Sequence, residues 1–271
     1  MILDKCSPLY KEWKKLVKDE QTYLKKHMDK KESGLELLLE NKVPDRLKYN
    51  LNGTFCTAFS TVFEEGTSAI EKTYSKDKMQ REYQINECIV QNRGNRKALK
   101  NFSKKASTSG NINLLLSGVS GISLGVLGIG IPDVVLFTAL MLKGIYQIAL
   151  NYGFDYNSSD EKRFILLIIQ GAIAHGTELK EINSELNHYM YYDKFKEKHI
   201  MDDCVRQASN FLASKVLYMK FIQGIPIIGA AGGAFDVICM KQVLKYAELK
   251  YRRRFYVKKL ATIPGQTLEN V

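Results

Sequence analysis

Among its 271 residues the chain has only five cysteines, five prolines, four histidines and one tryptophan, and each scarcity narrows what it can be. The cysteines, at 6, 56, 88, 204 and 239, are odd in number, far apart and never in C-x-x-C spacing. That pattern argues against a disulfide framework and against a zinc site, and for reduced, buried thiols. No stretch alternates apolar and polar residues with a period of two, so no strand is expected. The glycines between 118 and 130 are not followed by the Lys-Ser or Lys-Thr of a phosphate loop, and Gly118-Val119-Ser120-Gly121 is one residue short of G-x-S-x-G. The opening MILDKCSPLYKEWKK lacks the apolar run of a secretory signal, so a cytoplasmic location is expected.

What is present is globular in composition: 45% hydrophobic and 25% charged, with a net charge of +11. A mean hydropathy of −0.22 is too polar for a polytopic transporter. The basic excess lies at the two ends, over 1–108 and 202–271, around a slightly acidic stretch at 109–160. Nucleic-acid binding would call for a reading helix or an aromatic-basic platform, and neither is present, so no nucleic-acid partner is expected.

Apolar periodicity predicts helices along the chain. Leu9, Trp13, Leu16, Val17, Leu24 and Met28 form one stripe, and Leu47, Leu51, Phe55, Phe59 and Val62 form the next after Pro44. One or two polar surface helices follow over about 76–105. Ser158 and Glu161 fit a capping box at the head of the apolar run Phe164 to Ile169. A last helix from about Asp236 to Leu260 carries Met240, Leu244, Ala247, Tyr251 and Phe255 on one side. Lys241, Lys245, Arg252 and Lys259 fall in an adjacent sector of roughly 40°, which predicts a basic amphipathic helix. These four are the candidates for contact with lipid headgroups or an acidic partner.

Two segments stand apart. From Ala106 to Pro132 no residue carries a formal charge, and apolar sequence resumes from Val134. Its Gly118, Gly121, Gly125, Gly128 and Gly130, with Pro132, suggest two close-packed helices, 112–131 and 132–150, hinged at the proline as a glycine-rich hairpin, either spanning a membrane or buried as a core hairpin. Phe221 to Phe235 is a second chargeless segment, with Gly229 and Gly233, too short for a span.

The residues Gly130-Ile131-Pro132-Asp133, Phe137-Thr138-Ala139-Leu140, Tyr152-Gly153-Phe154-Asp155, Glu161 with Phe164-Ile165-Leu166, Ile225-Pro226-Ile227-Ile228-Gly229-Ala230 and Arg252 to Phe255 resemble, in order and spacing, the bacterial EcsC family. The resemblance runs over about 44–260. It implies an intracellular, membrane-associated helical protein, accessory to ABC transport or protein secretion, and it supplies no catalytic residues.

The expectation is therefore an all-α, multi-helix bundle around a glycine-rich apolar hairpin. It comprises an N-terminal amphipathic helical extension (1–43), an EcsC-like domain (44–260) and a short tail (261–271). Its function is read as non-enzymatic binding of an anionic membrane surface or a membrane protein at the inner face of the cell membrane, without cofactor or metal. The alternative is a cytoplasmic metal-dependent hydrolase. Asp133, Asp155 and Asp236 each lie in or beside apolar sequence, where an unpaired carboxylate is costly, and three converging carboxylates would suit a hard metal. The ordinary reading pairs each with a base or a helix end. Glu185 and His188 share a helix face, but one E-x-x-H is not the pair a di-iron site needs.

Overall fold

A computed structural model describes residues 7–28, 45–108, 132–222 and 234–262, with side chains described for 7–28, 45–106, 134–215 and 238–262. The glycine-rich segment 109–131, the second chargeless stretch at 223–233 and the tail from 263 lie outside the described residues. So do the first half of the expected hairpin, Gly118 to Gly130, and Gly229 and Gly233. All regular elements among the described residues are helices, as the missing period-two pattern predicts.

The helices are α1 (Pro8–Met28), α2 (Asp45–Thr61), α3 (Thr67–Glu71), α4 (Lys76–Arg93), α5 (Arg96–Thr108), α6 (Pro132–Asn151), α7 (Ser159–Ile173), α8 (Gly176–Tyr192), α9 (Met201–Ile222) and α10 (Ala234–Ala261). A single π-helical turn, Val62–Gly66, joins α2 to α3. Local chemistry sets several of these ends. The Ser75 side chain caps α4 by accepting from the Lys78 N–H, and α4 stops at Gly94, whose φ of 54° is left-handed. The Ser158 hydroxyl accepts from the Glu161 N–H at 3.1 Å, the expected cap at the head of α7. Pro132 opens α6, where its missing N–H costs nothing.

Two helices organise the core. In α7, Phe164, Ile165, Leu166, Ile168 and Ile169 are all fully buried. α10 packs against α1, α6, α7, α8 and α9. Glu161, early in α7, meets Tyr251 and Arg254, whereas Gly171, late in α7, packs under the ring of Tyr246, so α7 and α10 run antiparallel. α1 also runs antiparallel to α10, with Asp19 against Arg252 and Tyr23 stacked 5.2 Å from Tyr246. The amino-terminal helix, expected as an extension, is thus built into the core. Trp13 and Leu16 are buried there, because its apolar stripe needs a partner and α10 supplies one.

α6 passes the length and composition test for a membrane span, with a mean hydropathy of 1.5 over Val134–Asn151, but 78% of that window is buried inside the protein. It is a core helix, flanked by α2, α4, α5 and α10. Beyond its end, Gly153 turns the chain at a φ of 81° directly beneath the ring of Tyr83, a place where a Cβ would collide. The turn delivers Tyr156 to stack on Tyr146, with ring centroids 4.0 Å apart.

Candidate functional site

The residues richest in chemistry lie on the carboxyl half of α10, in the run Glu248-Leu249-Lys250-Tyr251-Arg252-Arg253-Arg254. Four adjoining cations would face solvent on an ordinary surface helix. Here they radiate into the protein, because every side of this stretch has a helix packed on it. Lys250 is 0% exposed and donates to Glu20 of α1 and to Asn183 and Asn187 of α8. Arg253 binds the other oxygen of Glu20 and the Tyr191 hydroxyl, at 2.7 Å. Arg252 reaches Asp19 at 2.8 Å and Glu248 at 3.5 Å.

Arg254 donates to Glu161 at 2.6 Å, and its guanidinium sits over the rings of Phe154, Phe164 and Tyr189 at 4.3, 5.0 and 4.9 Å. Such a flat cation fits an aromatic box in a way an ammonium does not. Tyr251 donates to the other oxygen of Glu161 at 2.7 Å.

Electrostatics follow from the burial. Burial pushes the Glu20 carboxyl up, but the charges of Lys250 and Arg253 and the bonds they donate outweigh it, holding Glu20 below the usual carboxylate range. Burial pushes the Lys250 ammonium down; Glu20 pulls it back, Arg253 opposes, and the balance stays low. Tyr189 is pushed up to about 12, chiefly by burial. The network holds charge in fixed pairs, and no group in it is left open as a base or nucleophile. Such a network specifies which helices meet.

The sequence-based candidates divide accordingly. Arg252 pairs inward with Asp19 and Glu248, and Lys259 pairs with Glu87 of α4. Lys241 and Lys245 are exposed, although Lys245 also lies 3.3 Å from Glu248. The expected one-sided basic face of α10 is therefore split between the interior and the surface. Met240, Leu244, Ala247, Tyr251 and Phe255 are buried, as the stripe predicts.

Asp155 is half exposed, 3.2 Å from Lys76, and accepts from the Asn157 N–H at 2.8 Å; it closes the turn between α6 and α7. The side chains of Asp133 and Asp236 lie outside the described residues. Among the described residues no three His, Cys, Asp or Glu side chains converge to hold a metal. Glu185 is occupied by Arg163, and the His188 ring is tilted against Tyr192 with centroids 4.7 Å apart.

Sequence reading missed the basic face that does exist, on α1. Lys11, Lys14, Lys15, Lys18, Lys25 and Lys26 are all exposed. At 100° per residue they share a sector of about 120°. The acids of the same helix turn inward: Glu12 to Arg96 at 2.7 Å, Asp19 to Arg252 and Glu20 to Lys250. Net charge along the sequence hides this, since it does not encode the side of the helix each charge occupies. A groove of about 600 Å³ runs along the same face, lined by Tyr10, Trp13 and Val17 with Lys14, Lys15 and Lys18 at its edge.

No curated protein and no solved structure matches the chain. A family model does, from the amino-terminal helix to the last of the buried arginines and Phe255, covering the helices that the charge network ties together. By that match over residues 9–255, the chain belongs to the EcsC protein family.

Proposed function

We propose that the protein is a non-enzymatic helical body that binds the anionic inner face of the cell membrane, where it serves as an accessory to transport or secretion. The observation that carries this reading is the sorting of charge on α1, with six lysines exposed and all three acids paired to cations of other helices. A basic residue near an anionic bilayer contributes roughly 1 kcal/mol, so such a face supports attachment. Two further features agree with it. The groove on this face joins an aromatic and apolar floor to lysine edges, which suits a headgroup and the top of its acyl chains. The chargeless segments 106–132 and 221–235 supply apolar sequence for shallow insertion, the second signal that stable attachment needs.

The test is sedimentation with vesicles of phosphatidylserine mixed into phosphatidylcholine, against phosphatidylcholine alone. The wild-type chain binds the anionic vesicles and loses binding as salt is raised. Replacing Lys11, Lys14, Lys15 and Lys18 by Gln weakens that binding by about two orders of magnitude or more, while unfolding by urea shifts by no more than about 0.5 kcal/mol. Lys241→Gln with Lys245→Gln measures the share of α10. Equal sedimentation of wild type and the α1 variant, or none with anionic vesicles, removes the reading.

A further inference from the structure

A cleft of about 670 Å³ opens between α7, α8 and the start of α9, a volume typical of small-molecule sites. Its floor is one face of α7: Arg163, Leu166, Leu167 and Gln170 follow the i, i+3, i+4, i+7 pattern and cover about 10 Å along the axis. The two ends of the floor are polar and its middle is apolar.

At one end the Arg163 guanidinium sits over Phe195 at 3.9 Å and donates to the Glu197 carbonyl at 2.5 Å and, more weakly, to Glu185 at 3.4 Å. Two of its five N–H groups are used. At the other end Gln170 is 6% exposed, and its side-chain amide meets no hydrogen-bond partner among the described residues. A ligand carrying both a donor and an acceptor can pair with this amide.

The charges around the cleft are balanced: Arg163, Lys180 and Lys196 face Glu181, Glu185 and Glu197. Balance of this kind gives no net preference for an anion such as a phosphate or for a polycation. α7 and α8 form an antiparallel pair, with Glu185 beside Arg163 and Ile182 beside Gly171. Glu181 therefore stands toward the Gln170 end, without an ion-pair partner among the described residues. The reactive groups are quiet: burial pushes the Cys204 thiol up despite the nearby Arg163 charge, so it is not a thiolate.

We infer that this cleft binds a short free peptide of two or three residues, with its carboxylate at Arg163, a backbone amide on Gln170 and its ammonium toward Glu181. An extended tripeptide spans about 10 Å, the length of the floor, and its peptide group offers the donor and acceptor that Gln170 lacks. The site binds such a peptide without cleaving it, and this assignment is independent of membrane attachment.

The experiment is calorimetric titration of the full chain with unblocked trialanine, and with trialanine acetylated at one end and amidated at the other. Trialanine binds saturably, and the capped form binds about tenfold weaker or worse. Gln170→Leu abolishes trialanine binding while the melting curve of the free protein shows that the variant is folded. Glu181→Gln, on the exposed rim, keeps the fold and weakens trialanine without weakening the capped peptide. Absence of saturable trialanine binding, equal affinity for both peptides, or unchanged binding by Gln170→Leu overturns the assignment.

Discussion

Lys250 donates a hydrogen bond to Glu20 in the centre of the protein, two buried side chains separated by 230 positions in the chain. The bond ties the first helix to the last. Arg253 takes the second oxygen of the same carboxylate, so one acid neutralises two cations taken out of water. Removing the acid leaves both cations stranded, and removing one cation leaves an acid that is still paired.

Glu20→Gln is therefore expected to lower stability by about 3–5 kcal/mol, and Lys250→Met by much less. Urea unfolding of the two variants checks this. Equal losses would show that the network does not turn on Glu20.

The same carboxylate sets an acid limit. Its folded value lies below its unfolded one, so its stabilisation is complete above the unfolded value and is lost as pH falls through the folded value. Wild-type stability should thus fall on acidification below the ordinary glutamate range, and Glu20→Gln should fall less steeply over that window. Parallel pH profiles for the two proteins would refute the assignment.

Arg254→Lys keeps the charge and loses the plane. Between Phe154, Phe164 and Tyr189 the ammonium cannot stack on three rings while holding Glu161, so a loss of about 2 kcal/mol is expected. A loss under a few tenths would show that charge alone matters there.

Lys143 is 3% exposed on the apolar helix α6, with no ion pair or hydrogen bond among the described residues, and burial pushes its ammonium down. Lys143→Met, similar in length and free of charge, should raise stability by about 1–2 kcal/mol. A drop in melting temperature would mean that the ammonium has a stabilising role.

Gly153→Ala tests the turn after α6. Positive φ and the overlying Tyr83 ring each penalise a Cβ, and together they predict a loss of about 2 kcal/mol or more. Tyr83→Ala in the same chain should recover only the steric part.

The helices were legible in the sequence wherever an apolar stripe met a clear boundary. Trp13 and Leu16, Phe55 and Phe59, and the Ser158 cap all sit where periodicity and capping chemistry put them, since those signals act within a few residues. The all-α class followed from the same local signals, and the family from the resemblance of its motifs in order and spacing. The roles of the charges did not. Lys241 and Arg252 belong to one sector of α10 by helical geometry, yet Lys241 faces solvent and Arg252 is spent on Asp19. Which cation is buried depends on where α1, α7 and α8 supply carboxylates and amides, and those partners lie up to 233 positions away. The same long-range pairing draws Glu12, Asp19 and Glu20 inward and leaves the lysines of α1 alone on the surface. A sequence lists charges and the period of the helix that carries them. Packing decides their partners, because a charge leaves water only where another chain segment replaces its solvation.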